Sequence, residues 1–326
     1  MRLKSLCNVA FTLTFAVAAY FGARYFCYKH TDGFTIWGIT PDRSFEKGFE
    51  TRPLTDAEQI EISSALNQPY FYGTRGGQTY VFFSQDGEYA LKLLKQHMFT
   101  TPLWFNFTAL PFVLDRYKQK KSALIRDKYR RDFTSYKLAF EEMQDLTGVV
   151  YIHLHPTDTL KMNLHFTDKL GIAHQIDLDK IDFVLQRKAE PSLSRIQRLM
   201  QTRDFDGAKR SISSLVTLIV ERCKRGISDK DSSIDTNCGF LGKDAVKIDV
   251  GRLGREINVA TSSRCKEELV KILTPFKEWL AFRYPDLAKD LDNELAKALD
   301  SFTCTKHPEL KSSFEEETHA LQALRI

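Results

Sequence analysis

The chain has 326 residues, of which 43% are hydrophobic, 27% charged and 12% aromatic. That balance excludes a collagen-like, low-complexity or wholly disordered chain and leaves one large domain or two small lobes. Lys and Arg exceed Asp and Glu by only 47 − 42 = 5, so nucleic acid is not an expected partner.

Residues 6–23 (LCNVAFTLTFAVAAYFGA) carry no charge, with Arg2 and Lys4 before them and Arg24 and Lys29 after. As a helix this run rises about 27 Å at ~1.5 Å per residue, close to the hydrocarbon thickness of a bilayer. The expectation is a single N-terminal transmembrane helix within residues 1–30, meeting the lipid bilayer through 6–23. A cleaved signal peptide and a buried helix are the alternatives. The small-residue exit of a signal peptide is missing, because Phe21 stands two residues before Ala23. Basic residues after the run predict a single-pass protein with most of the chain in the cytoplasm. Cys7, Cys27, Cys223, Cys238, Cys265 and Cys304 form no CxxC pair. They are expected to be reduced thiols.

Residues 31–60, broken by Thr-Asp-Gly, Thr-Pro-Asp and Arg-Pro-Leu-Thr, read as a linker. Residues 69–95 predict three short antiparallel strands, with turns at Arg75-Gly76-Gly77 and Asp86-Gly87. An aromatic run over 98–114 precedes a basic run over 116–131. Together they suit either a membrane-surface contact through 98–131 or a packed insert leading into a solvated helix face. Phe133, Tyr136, Phe140 and Met143 recur at helical spacing within 122–146. Residues 149–188 turn strand-like again, and Glu190-Pro191 closes the block. Beyond it Ile212, Leu215, Val216, Ile219, Val220 and Cys223 form an apolar helical stripe, with Gly226 placed to end it. Helices are predicted over 264–282 and 286–300. The division is a β-rich lobe over 61–190 with one inserted helix, a smaller α-rich lobe over 191–304 and a polar tail over 305–326. The fold class is α+β.

Three segments carry chemistry. Gly73-Thr-Arg-Gly76-Gly77 lies between two strands, where backbone N–H groups can approach a phosphate. Lys92 ends Tyr89-Ala-Leu-Lys on the following strand, on the same face as Ala90. The third segment runs Asp229-Lys230-Asp231, Asn237-Cys-Gly-Phe and Val246-Lys-Ile-Asp249-Val250-Gly251. A carboxylate to orient a hydroxyl, with an amide and a second carboxylate for Mg²⁺, is what phosphoryl transfer needs. His153 and His155 alternate on one strand face, but no third ligand stands near them in sequence.

In this order the segments resemble the protein-kinase-like superfamily, which includes the aminoglycoside- and choline-kinase-type enzymes. The resemblance spans about residues 69–255. It implies a bilobal kinase-like domain with ATP and Mg²⁺ as cofactors. Gly76 and Gly77 then belong to the glycine-rich loop, and Lys92 to the phosphate lysine. Asp231 matches the catalytic carboxylate, while Asn237 and Asp249 match the metal ligands. Asn237 follows Asp231 by six residues where the family motif has five, so Asp229 and Asp235 remain rivals. Glu141 or Glu142 would pair with Lys92. No Ala-Pro-Glu follows Gly251. The implied activity is a membrane-anchored phosphotransferase acting on an unidentified hydroxyl-bearing acceptor. The alternative is an inactive kinase-like scaffold that binds a protein partner.

Overall fold

The computed structural model describes residues 2–42, 46–101, 112–256, 259 and 262–301. The chain opens with α1 (Arg2–Thr31), α2 (Ile36–Ile39) and α3 (Asp56–Leu66). Strands β1 (Tyr70–Arg75), β2 (Thr79–Ser84) and β3 (Tyr89–Leu94) follow, then α4 (Phe112–Glu142) and α5 (Gln144–Thr147). Four more strands complete the first lobe: β4 (Val149–His153), β5 (Asn163–Thr167), β6 (Ala173–Asp177) and β7 (Phe183–Arg187). The second lobe holds β8 (Glu190–Pro191), α6 (Ser192–Gln201), α7 (Phe205–Lys224), β9 (Ile227–Asp229) and α8 (Ile234–Asn237). It ends with β10 (Cys238–Leu241), β11 (Asp244–Lys247), β12 (Leu253–Arg255), α9 (Ser262–Arg283) and α10 (Pro285–Ser301).

The seven strands of the first lobe form one sheet in the order β4-β7-β3-β2-β1-β5-β6. Pairing is antiparallel except between β1 and β5. Alternation along β3 divides its side chains between two layers. Leu91 and Leu93 join Phe34, Ile39, Ile62 and Tyr80 on one face. Leu94 joins Phe133, Phe140 and Val184 on the face covered by α4. Lys92 lies between Leu91 and Leu93 in the strand, and so points to the α4 side. Helix α3 starts at a reciprocal capping box between Thr55 and Glu58. The second lobe packs α6, α7, α9 and α10 around Ile212, Leu215, Ile219, Leu269 and Leu291. Gly226 stands just past the end of α7 at φ 66°, a conformation in which a Cβ would clash.

The transmembrane expectation is overturned: among the described residues no helix is long and apolar enough to cross a membrane. Helix α1 is one continuous element of 30 residues that runs on through Arg24 and Lys29. Its last turns are part of the domain. The Arg75 guanidinium lies 5.0 Å from the Tyr28 ring centroid and hydrogen-bonds its hydroxyl. Just beyond the helix, Asp32 accepts from Tyr72 at 2.6 Å and pairs with Lys169 at 3.0 Å. Tyr80 donates to the Gly33 carbonyl at 2.7 Å, and Phe34 is buried against Tyr80, Phe82 and Phe166. The single-pass placement with a cytoplasmic bulk rested on a free-standing span and falls with it. Segment 31–60 contributes the buried Phe34, Ile39 and Phe49 to the core. Helix α4 carries the basic run over 116–131. Residues 102–111 of the aromatic run, and 302–326 with most of the expected tail, lie outside the described residues.

Candidate active site

The sheet and the second lobe meet where β3, α4 and the segment after β11 converge. The buried Lys92 ammonium donates to the Ile248 carbonyl at 2.6 Å, one residue before Asp249. Burial holds its pKa down at about 8, opposed by the nearby Asp249 carboxylate and reinforced by Lys247. Helix α4 grips the turn that follows. Ser135 donates to the Val250 carbonyl at 2.5 Å and accepts from the Leu253 N–H at 2.7 Å. The Asp249 side chain is exposed, and its Oδ1 accepts from the Gly251 N–H at 3.1 Å. A carboxylate, a buried ammonium and a tight glycine turn are thus assembled by three elements.

The glycine turn sits close above. Gly76 closes it with an N–H bond to the Thr79 carbonyl at 2.9 Å, and Lys95 holds the Gly76 carbonyl at 2.6 Å. Gly77 is exposed at the tip. Gln78 reaches down from the turn and accepts from the buried Tyr136 hydroxyl at 2.8 Å. A Cβ built on Gly251 would lie 2.8 Å from the Gln78 Oε1. Glycine at 251 is therefore what allows the turn and Asp249-Val250-Gly251 to approach. Burial, with Asp249 and Asp132 nearby, pushes the Tyr136 phenol well above its ordinary pKa, so it stays a donor.

The three rival aspartates have different surroundings. Asp229 is buried on β9; its Oδ2 lies 2.5 Å from Lys247 Nζ and its Oδ1 accepts from the Asp231 N–H at 2.9 Å. Asp235 is exposed in α8 and accepts from Ser233. Asp231 is exposed, with its own backbone held rigidly. Its carbonyl receives Lys247 Nζ at 2.5 Å and Asn237 Nδ2 at 2.8 Å. Asn237 is buried, and donation through Nδ2 leaves its amide oxygen as the group able to meet a cation. The short α8 between Asp231 and Asn237 absorbs the extra residue in the spacing.

Neither expected glutamate partner reaches Lys92. Glu141 accepts from the Arg52 N–H at 3.1 Å and lies 3.8 Å from Lys137, while Glu142 pairs with Arg255 at 2.5 Å. The sequence reading missed Lys247 and Gln78. Lys247 on a strand resembles any surface lysine, and only its position two residues before Asp249 marked it. His153 bonds the Ile181 carbonyl at 2.7 Å and Thr157 at 2.9 Å, a structural role for that histidine. Among the described residues no group of three or more His, Cys, Asp or Glu could hold a metal ion.

No family model matches the chain, and no curated protein matches it. Solved structures similar to it include the bifunctional kinase-methyltransferase WbdD, at 12% identity and a TM-score of 0.31. That match covers 76% of this chain and 47% of the other. Another is Rv3197 of Mycobacterium tuberculosis, solved in complex with erythromycin, at 12% identity and a TM-score of 0.29. It covers 70% of this chain and 61% of the other. The chain thus spans about half of the first structure and three-fifths of the second.

Proposed function

We propose that the chain is a kinase-like phosphotransferase, with ATP and Mg²⁺ held between the glycine turn and the Asp231–Gly251 segment. The observation that carries this reading is the buried Lys92 bonded to the carbonyl that precedes Asp249. A desolvated ammonium beside an exposed carboxylate suits a ligand bringing both phosphate and a cation. The donor set fits that ligand. Asn237 and Asp249 offer hard oxygens, and Mg²⁺ commonly takes one or two protein ligands and completes its shell with phosphate and water. Lys92, with the exposed Gly77 N–H at the tip of the turn that Gly76 closes, would hold phosphate. When bound, ATP supplies the γ-phosphoryl group, with the β–γ P–O bond broken and its electron pair leaving on ADP. Asp231 would orient the acceptor hydroxyl and take its proton as the new O–P bond forms. Lys247 and Asn237 would fix the Asp231 backbone during that step.

The test is thermal melting of the full chain with ATP and Mg²⁺, beside the Asp249→Ala variant. A ligand at ~100 times its Kd adds roughly 2.7 kcal/mol. The expected result is a metal-dependent rise in the parent that the variant lacks. The absence of any rise in the parent overturns the reading.

One observation favours a second reading, an inactive kinase-like binding module: neither Glu141 nor Glu142 pairs with Lys92. Nucleotide binding without ATP turnover would support it.

A further inference from the structure

A separate cavity of about 280 Å³ borders the Asp231 loop. Ser232 and Ser233, which directly follow Asp231, form one side with Asp235. Helix α9 forms the other side with Lys271, Phe276 and Trp279. The Phe276 and Trp279 rings stack nearly parallel, 11° apart with centroids 6.0 Å apart, so the buried Phe276 backs the Trp279 ring. Trp279 is half-buried, whereas Asp235 and Lys271 are exposed. Pro275 also lines the cavity and lies within α9.

We infer that this cavity binds the acceptor, and that the acceptor is a neutral hydroxylated ring, a hexose or a cyclic polyol. This inference rests on the phosphotransferase reading and extends it to the substrate. The cavity's chemistry selects such a ligand in three ways. The half-buried Trp279 indole suits a ring with an apolar face. Seryl hydroxyls and a carboxylate are acceptors matched to several hydroxyl donors. The single cation of Lys271 and the single anion of Asp235 offset each other, so neither a phosphorylated nor an amino-bearing ligand is favoured over a neutral one. The volume admits one ring. Ser232 follows Asp231 in the chain, so the cavity adjoins the loop that carries the carboxylate proposed to take the hydroxyl proton.

The experiment reads binding without turnover, by saturation-transfer NMR on the full chain in the absence of nucleotide. The probes are the methyl glycosides of glucose, galactose, mannose and N-acetylglucosamine, together with myo-inositol, at millimolar concentration. The expected result is transfer to the ring protons of at least one probe. Trp279→Ala should abolish it, and Asp235→Ala, which alters only an exposed side chain, should weaken it roughly tenfold through loss of a hydrogen bond. Asp249→Ala should leave it intact, so failure of nucleotide binding and failure of acceptor binding are separable. No transfer from any probe overturns the inference. So does transfer that survives both Trp279→Ala and Asp235→Ala, or binding confined to a tyrosine-containing peptide.

Discussion

The Lys247 ammonium lies 2.5 Å from the Asp229 carboxylate, and both side chains are only 4% exposed. The same ammonium donates to the Asp231 carbonyl. One buried ion pair therefore ties β9 to β11 and fixes the backbone of the loop between Asp229 and Asn237. Removing one partner leaves the other charge buried and uncompensated. Lys247→Met should destabilise the protein by about 3–5 kcal/mol. The double variant with Asp229→Asn should recover part of that loss. Denaturant melts of the parent, the two single variants and the double variant check this as a cycle. Strict additivity would mean the pair does not couple.

Lys92 gives a pH signature. Burial holds its pKa at about 8 against an ordinary 10.5. Above 10.5 the amine is neutral in both folded and unfolded chains, and burial carries no charge penalty. Below 8 it is charged in both, and the penalty is fully present. The penalty therefore grows as pH falls from 10.5 to 8. Lys92→Met should be more stable than the parent at pH 7 by about 3 kcal/mol. That gap should close as pH rises towards 10.5. Melting curves of the two proteins across this range check the sign; a gap that widens with pH refutes it.

Gln78 lies against Gly251, between the glycine turn and the Asp249 segment proposed to hold nucleotide. Gln78→Ala removes that side chain and its bond from Tyr136. Nucleotide affinity should rise several-fold, while stability falls by about 1 kcal/mol for the lost hydrogen bond. Calorimetric titration with Mg-ATP measures the first and melting the second. Weaker nucleotide binding would instead make Gln78 a ligand contact.

Glu141 and Glu142 are committed to Arg52, Lys137 and Arg255. Glu141→Gln and Glu142→Gln should leave the nucleotide-dependent melting shift unchanged within error. Loss of the shift in either would bring that glutamate into the site when nucleotide binds.

The strands of residues 70–94 were legible because aromatic and β-branched runs alternate with glycine turns. The end of α7 was legible because a long apolar stripe stops at Gly226. Other features leave no periodic trace. Phe34 and Ile39 are isolated apolar residues among Gly, Thr and Pro, and only the folded sheet reveals that they are buried. The apolar composition of α1 suggested a span, whereas Tyr28 and the Asp32 cluster tie its end to the sheet. Motif order brought Lys92, Asp231, Asn237 and Asp249 to notice. Spacing alone left three aspartates open, because the difference between them lies in Lys247, which is sixteen residues away from Asp231 in the chain and in contact with its carbonyl.

Helix α1 and the glycine turn share a mechanical connection. The helix spans 30 residues, about 45 Å at ~1.5 Å per residue. Its last turn is held through Tyr28 to Arg75, the residue immediately before Gly76. A rigid rod clamped at one end acts as a lever. A displacement of the helix end would therefore reach Arg75 and, through one peptide bond, Gly76.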